Sequence, residues 1–564
     1  MKRQFVSVGQ TQLHVRRAGE GPPVILLHPS PQSGAFSIPM ATRLAKNFTA
    51  IAVDTPGYGL SDPLPGGYKG PALDDYLSPL VALLDSLGIE KAAFYGNATG
   101  AEIAHIFAAA HPERVAVCML DTAGDVSDEF VDTLTEGYFP DTTPRRDGGH
   151  LLTHWDMVRS LNLFAPWQFT KKESRLPVDM PSPDKIQAKL LDYLRAGASY
   201  ADAYKPAFYT AKHHLISRVT VPATLTRWEA KPDLTEVDDL IAAGLPDNFT
   251  VLHAGPTMDE RLAASEQYLI DHYLPTATPA PPHPDQIEDG APRLQKMFID
   301  VDGGQVMVRV CTAGTGRPIL GLHDPAGSSN RLVGLLAPYL GKRPIIALDN
   351  PGSGESDPLI SAQDITTEEY ARYAIAALDA LGVDEVDVIG RYSGGQVAME
   401  MAAAKPELVK HIVQAGVQIF TDEERGDLLN HYTPSIAPTW DGGHLVTAWA
   451  IVRDMGLYWP WYNQTKDGVI HRDANLDPEF LDSRVQDLLK IGNGYQNAYA
   501  ASFTYPMADK LAALDVPCLL IDWPGAASYD RLEMAKQAAP KCDIADMPED
   551  LGDIPTLLDP FFKS

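Results

Sequence analysis

Gly96-Asn97-Ala98-Thr99-Gly100 and Gly390-Arg391-Tyr392-Ser393-Gly394-Gly395 are the stretches that decide the fold of this chain. Each follows an apolar run that reads as a strand, Ala92-Ala93-Phe94-Tyr95 or Val386-Asp387-Val388-Ile389. Each leads into a helical pattern closed by a Pro-Glu pair, Pro112-Glu113 or Pro406-Glu407. Strand, tight Gly-flanked turn and helix form a strained elbow that lifts one side chain above the sheet, and that elbow ordinarily reads Gly-x-Ser-x-Gly. Here Ala98 holds the centre of one copy and Tyr392 the centre of the other.

Working outward, the whole surroundings repeat. His28 recurs as His323, and the run from Asp54 to Leu64 recurs from Asp349 to Leu359, both 295 residues on. Gly96 recurs as Gly390, and Asp147-Gly148-Gly149-His150 as Asp441-Gly442-Gly443-His444, both at an offset of 294. A unit this long is a whole domain and not a solenoid repeat, so the pattern reads as a gene duplication giving a tandem repeat. Between the copies lies a proline-rich stretch, Pro275 to Pro284, which excludes helix and central strand and favours a semi-rigid spacer. The expected organisation is domain one at 1–274, a linker at 275–294 and domain two at 295–564. In each copy strands alternate with helices, and runs such as Val24–Leu27 and Ile319–Leu322 are apolar throughout. That pattern predicts an α/β fold, a mostly parallel sheet covered by helices on both faces. An insertion of roughly 95 residues follows the strand after each elbow, at about 125–218 and about 419–513.

Composition narrows the partners. The 46 basic and 74 acidic residues leave a net charge of −28, which disfavours nucleic acid and anionic membranes. The four cysteines have no metal-ligand spacing, and Cys118 and Cys518 sit in apolar runs, so buried small hydrophobes are expected. Neither a signal-peptide pattern nor an apolar run long enough to span a membrane is present, and a cytoplasmic protein is expected.

The strand ending in His28 or His323, the Asp-x-Pro-Gly-x-Gly-x-Ser-Asp stretch, the elbow and the helical insertion together resemble the α/β-hydrolase superfamily, of the capped epoxide-hydrolase and carbon–carbon-bond-hydrolase type. The resemblance covers nearly all of the chain outside the linker. It implies two tandem α/β-hydrolase folds, each with a helical cap, packing as an intramolecular pseudo-dimer, with homo-oligomerisation left open. It also implies a cofactor-independent, metal-free site for a small molecule in the cleft between cap and core.

That site departs from the family pattern. Ala98 cannot attack a substrate, and Tyr392 carries a phenol that ionises only near pH 10. Ser393 becomes a nucleophile only if the elbow shifts register. Where the family places its acid, domain one has Lys231, flanked by Glu229 and Asp233, and domain two offers only Asp522. Asp121 is a further candidate acid, read as a solvated loop residue. Where the base is expected, domain one has His253 slightly early, and domain two has no His after His471. The backbone of Ser30 and Thr99 can still supply oxyanion donors, whereas Pro325 stands in the equivalent place of domain two. His28 and His323 read as loop anchors.

The Asp-Gly-Gly-His segments point elsewhere for chemistry. They put His150 and His444 at a helix start, where an imidazole tends to stay neutral, and Arg159 and Arg453 further along as clamps for a carboxylate. Trp155 and Trp449 fall between them, with Leu151 and Val158 at helical spacing for packing. The candidate catalytic groups are therefore His150, His444, Ser393 and Tyr392. The candidate binding groups are Ser30, Thr99, His28, Asn97, Ala98, Trp155, Arg159, Arg391, Trp449 and Arg453. Two functions follow as expectations: a hydrolase or lyase acting on a small ester, carbonyl compound or carboxylic acid without a serine at the elbow, or a catalytically silent relative that binds a ligand or serves as a scaffold.

Overall fold

Short strands of unbroken apolar residues stay in a sheet only where both faces are covered, and every residue of Pro23–Leu27, Thr49–Val53, Ile319–Leu322 and Ile345–Leu348 is buried. The computed structural model describes residues 1–65, 70–124, 127–231, 234–274 and 279–563. The first compact unit comprises Met1–Thr143 with His150–Ile287, and the second Pro144–Gly149 with Glu288–Ser564.

The sheet of domain one contains β1 (Lys2–Val8), β2 (Thr11–Ala18), β3 (Pro23–Leu27), β4 (Thr49–Val53), β5 (Ala92–Asn97), β6 (Val115–Asp121), β7 (Ala223–Trp228) and β8 (Phe249–Ala254). That of domain two contains β9 (Gln295–Val301), β10 (Gly304–Cys311), β11 (Ile319–Leu322), β12 (Ile345–Leu348), β13 (Val386–Arg391), β14 (Val409–Ala415), β15 (Cys518–Asp522) and β16 (Asp543–Asp546). The first runs in the order β1-β2-β4-β3-β5-β6-β7-β8, and the second has the same order, β9-β10-β12-β11-β13-β14-β15-β16. The opening hairpin pairs antiparallel with itself and with β4 or β12, and the remaining pairs are parallel. In each domain the chain between the sixth and seventh strands is helical. It includes Gly149–Ser160 and Pro183–Ala196 in domain one, and Asp422–His431, Gly443–Asp454, Pro478–Ile491 and Gly494–Thr504 in domain two.

The proline-rich connection is more than a spacer. Arg17 donates to the carbonyls of Pro281 and Pro282 at 2.6 Å, and Gln12 donates to the Gln286 carbonyl at 2.9 Å, so residues 281–287 lie along domain one. Beyond it, the Glu288 and Gly290 amides donate to Gln295 and Thr312, which fastens the start of domain two. Carbonyls unused by a helix or sheet need donors, and the N-terminal hairpin supplies them. All four cysteines are free and buried. No described helix is long and apolar enough to cross a membrane.

Candidate functional site

Both elbows are built, and both keep their register. Ala98 has φ 48° and ψ −117°, and Tyr392 has φ 49° and ψ −112°. Such a conformation is costly for a residue with a Cβ. The flanking glycine is required, because a Cβ on Gly100 or Gly394 would run into the Leu27 or Leu322 carbonyl. Since Tyr392 carries the strain, Ser393 is the first residue of the helix Ser393–Ala404 and not the elbow centre. The N–H of that first helical residue, like that of Thr99 in domain one, has no acceptor within its own helix.

In domain one the residues around Ala98 are structural. His28 accepts from the Thr55 amide through Nε2 at 3.0 Å, so its Nδ1 carries the proton and donates to the Pro29 carbonyl at 3.0 Å. His323 makes the same pair of bonds to Asn350 and Asp324. Burial lowers the His28 pKa, which keeps the ring neutral. Ser30 is buried on the following loop, and the Asn97 amide donates to Thr122 at 3.3 Å. Asp121 is not a solvated loop residue: it is 1% exposed and is held by the Tyr95 hydroxyl and by Arg261 at 2.6 Å. The expected base, His253, is exposed on β8, and Lys231 pairs with Glu236. Glu229 is exposed, and Asp233 lies outside the described residues.

The Asp-Gly-Gly-His segments serve the helix start. Asp147 and Asp441 accept from the Gly149 and Gly443 amides at 2.9 and 3.0 Å. His444 Nδ1 accepts from the Thr439 amide at 3.1 Å, and burial pushes the ring down to about 4. It therefore holds the loop before its helix as a neutral acceptor. His150 is buried, and its carbonyl accepts from His154 Nδ1 at 3.0 Å. Leu151, Trp155, Val158 and Trp449 are buried, which gives this segment its packing face. Arg453 ends on the neighbouring Asp454 at 2.6 Å and is not free to clamp a ligand. The Arg159 Nε is buried without a hydrogen-bond partner among the described residues.

Domain two brings its functional groups together elsewhere. A cavity of about 270 Å³ opens over Tyr392, between the helical insertion and the C-terminal ends of the strands. Neither His444 nor Arg453 lines it. Its core side is formed by Asp324, Arg331, Arg391, Tyr392, Ser528 and Arg531, and its other side by Tyr432, Trp459, Arg472, Arg484, Tyr499 and Phe503. The aromatic rings pack on one another: Tyr432 lies 5.1 Å from Tyr499, 5.2 Å from Phe503 and 5.6 Å from Trp459.

The Tyr392 ring rests against Gly416, with Arg391 5.7 Å from its centroid. Burial raises the phenol pKa while Arg391 and Ser528 pull the other way, and the net shift is upward. At neutral pH Tyr392 is thus a proton donor and not a phenolate nucleophile. Ser528 in turn donates to Asp522 at 2.5 Å. Burial raises the Asp522 pKa, against the Ser528 bond, the Trp523 amide and the charge of Arg391. Ser528, on the loop after β15, thus links the Asp522 carboxylate to the elbow tyrosine, and no imidazole takes part among the described residues.

Several of these residues were not found in the sequence reading. Asp324, Arg331 and Arg484 have no motif around them, yet the insertion carried a usable signal. Tyr200, Tyr204 and Phe208 recur 295 residues on as Tyr495, Tyr499 and Phe503, a retained helical face of aromatics. Lys189 recurs as Arg484 at the same offset.

The two elbow helices also differ beneath the turn. Glu102 is 5% exposed, with its carboxylate 3.3 Å from the buried His105. Burial, with Glu236 nearby, pushes Glu102 up to about 8, whereas burial drives His105 down to about 4 and leaves it neutral. Its counterpart Gln396 is an uncharged isostere whose amide donates to Gln418 at 3.2 Å and to the Ser502 carbonyl at 3.1 Å. Between pH 4.5 and 8 an unfolded chain releases the Glu102 proton and the folded one keeps it, so stability falls as pH rises through that window. Glu102→Gln should leave stability near pH 4.5 unchanged and raise it at pH 8 by about 2–4 kcal/mol. Urea melts of both proteins at the two pH values measure this directly.

Comparison with known proteins bears on the fold of both domains. The alpha/beta hydrolase fold family model matches residues 22–183 and again 318–434, once in each domain. The 2-(acetamidomethylene)succinate hydrolase of Mesorhizobium japonicum is 33% identical over 130 residues, which is 23% of this chain and 46% of the relative. A 2-hydroxy-6-oxononadienedioate/2-hydroxy-6-oxononatrienedioate hydrolase of Pseudomonas putida is 35% identical over 132 residues, 22% of this chain and 46% of that protein. The match thus spans about half the length of these curated relatives. Among solved structures, epoxide hydrolase A of Mycobacterium thermoresistibile is 20% identical, covering 48% of this chain and 98% of its own at a TM-score of 0.37. The chain belongs to the α/β-hydrolase superfamily, with the fold written twice in one polypeptide.

Proposed function

We propose that domain two is the working half, an α/β-hydrolase-superfamily site that acts on a small organic carbonyl compound as a hydrolase or lyase without a serine nucleophile. The observation that carries this reading is the open cavity over Tyr392. Side chains as large as Arg391 and Tyr392 could have filled the space above the elbow, which would have favoured a scaffold, but they line a cavity instead. In this reading the helical insertion is the cap, the Tyr392 phenol donates to the substrate oxygen, and the Ser393 N–H adds a second donor to the charge that develops there. Named relatives that are hydrolases support the superfamily's chemistry, and domain one, with Ala98 at its elbow, has no such donor.

The test is a turnover screen over small esters, lactones and diketones, using the whole chain and two blocked variants. Ala527→Trp fills the domain-two cavity, whose wall includes Ala527. Ala98→Tyr gives domain one the residue that its counterpart already tolerates. Activity should vanish in Ala527→Trp and persist in Ala98→Tyr, and the reverse pattern assigns turnover to domain one. A second reading, ligand binding without turnover, draws on one observation: no imidazole lines this cavity among the described residues. Under that reading Ala527→Trp abolishes binding in a protein that turns over nothing.

A further inference from the structure

The arginines of the domain-two cavity are not equivalent. Arg531 is committed to Glu424 at 2.9 Å and to the Ile419 carbonyl. Arg331 is committed to Asp324 at 2.7 Å and to the Ala326 carbonyl at 2.7 Å, with Asp487 at 3.7 Å. Arg391 reaches Asp324 only at 4.0 Å, and its Nε is buried without a hydrogen bond. Arg484 lies over the Phe480 ring at 5.1 Å and makes neither a hydrogen bond nor an ion pair among the described residues.

Of the three inner guanidinium groups, Arg331, Arg391 and Arg484, only Arg484 has no carboxylate within ion-pair distance among the described residues, and the exposed Arg472 lies apart over the Trp523 ring at 5.2 Å. One positive charge remains without a partner in a place walled by aromatic rings. Burial first, and then repulsion from Arg331 and Arg391, lowers the Arg484 pKa to about 9 against the attraction of Asp324, so the guanidinium stays charged at neutral pH. An uncompensated buried charge is expensive unless a ligand neutralises it. The device belongs mainly to domain two: at the positions of Asp324, Arg331 and Arg391, domain one has Pro29, Phe36 and Asn97.

We propose that Arg484, assisted by Arg391, seats a single carboxylate, and that the ligand of this cavity is a flat or aromatic monocarboxylate whose ring lies against Tyr432, Trp459 and Phe503. This deepens the proposed function by naming its substrate class, and rests on the same cavity. A volume of about 270 Å³ suits one ring with a short substituent. One unpaired guanidinium suits one carboxylate, and the Asp324 charge acting on the same spot disfavours a second.

Titration calorimetry of the whole chain with benzoate, benzamide and phthalate tests the seat. Benzoate should bind, benzamide and phthalate about tenfold or more weaker, and Arg484→Met should erase the preference for benzoate. Because Arg484→Met removes an unpaired, half-buried charge, it should also raise the melting temperature of ligand-free domain two by a few degrees. That second readout needs no ligand. Equal binding of benzoate and benzamide, no binding of benzoate at millimolar concentration, or a preference that survives Arg484→Met would overturn the proposal. A drop in melting temperature in Arg484→Met would overturn it as well. Failure of the seat is distinct from failure of the catalytic reading. Neutral esters that turn over without any carboxylate preference remove the seat alone, whereas benzoate held by Arg484 in a protein that turns over nothing removes catalysis alone.

Discussion

Tyr392→Phe should lower kcat of the domain-two reaction by about 10²–10⁴-fold, the usual contribution of a positioned general acid. The substitution removes only the hydroxyl. The ring keeps its seat against Gly416 and beneath Arg391, so substrate packing and KM should change little. Because burial lifts the phenol above its ordinary value near 10, the proton stays in place throughout the neutral range. The rate should therefore show no alkaline limb below pH 10 from this group, and the Phe variant should keep the same profile at a lower level. Steady-state kinetics of the two proteins from pH 6 to 10 measure both effects. A Phe variant with unchanged kcat would mean that the elbow tyrosine only fills space.

Arg261→Met is expected to destabilise domain one by about 3–5 kcal/mol, because it leaves Asp121 buried beside the Tyr95 hydroxyl with no cation. In a unit of this size that corresponds to a fall of roughly 10 °C in its melting temperature. The guanidinium also lies 4.5 Å from the Trp228 ring, a contact that methionine partly replaces, so the lost charge is the main effect. Adding Asp121→Asn should recover most of the loss. Domain two supports this, since it manages the same corner with Ile389 and Ala415 in the places of Tyr95 and Asp121. Calorimetry of the intact chain should show one transition moving down while the other stays fixed. A shift below about 1 kcal/mol would mean that water reaches Asp121 and replaces the arginine.

The fold was legible in the sequence because it is set by local, repeated signals. Apolar runs ending at His28 and His323, and glycines where a Cβ has no room beside the strand carbonyls, define the sheet and its elbows before any contact is known. Much of the site was not legible, for a physical reason. His150 and His444 stand out in the repeat, yet Thr439 shows that such a histidine can be kept to close a loop. Arg453 stands out equally and is spent on the adjacent Asp454. By contrast, Arg484, Asp324 and Ser528 come from three distant segments, and only tertiary structure brings them to one cavity. Asp522 ends β15 itself, earlier in the chain than an orienting acid, and Ser528 spans the gap between it and Tyr392. The aromatic face was the missed clue, since two of its members, Tyr499 and Phe503, form the cavity wall.

The central claim is that turnover proceeds in domain two without serine chemistry. Labelling of the intact, active protein with a fluorophosphonate, read by mass spectrometry alongside its rate, tests this most directly. Ser393 begins a helix and has no imidazole beside it, so the account predicts no adduct and an undiminished rate. A stable adduct on Ser393 with loss of the rate would contradict it and make domain two a serine hydrolase.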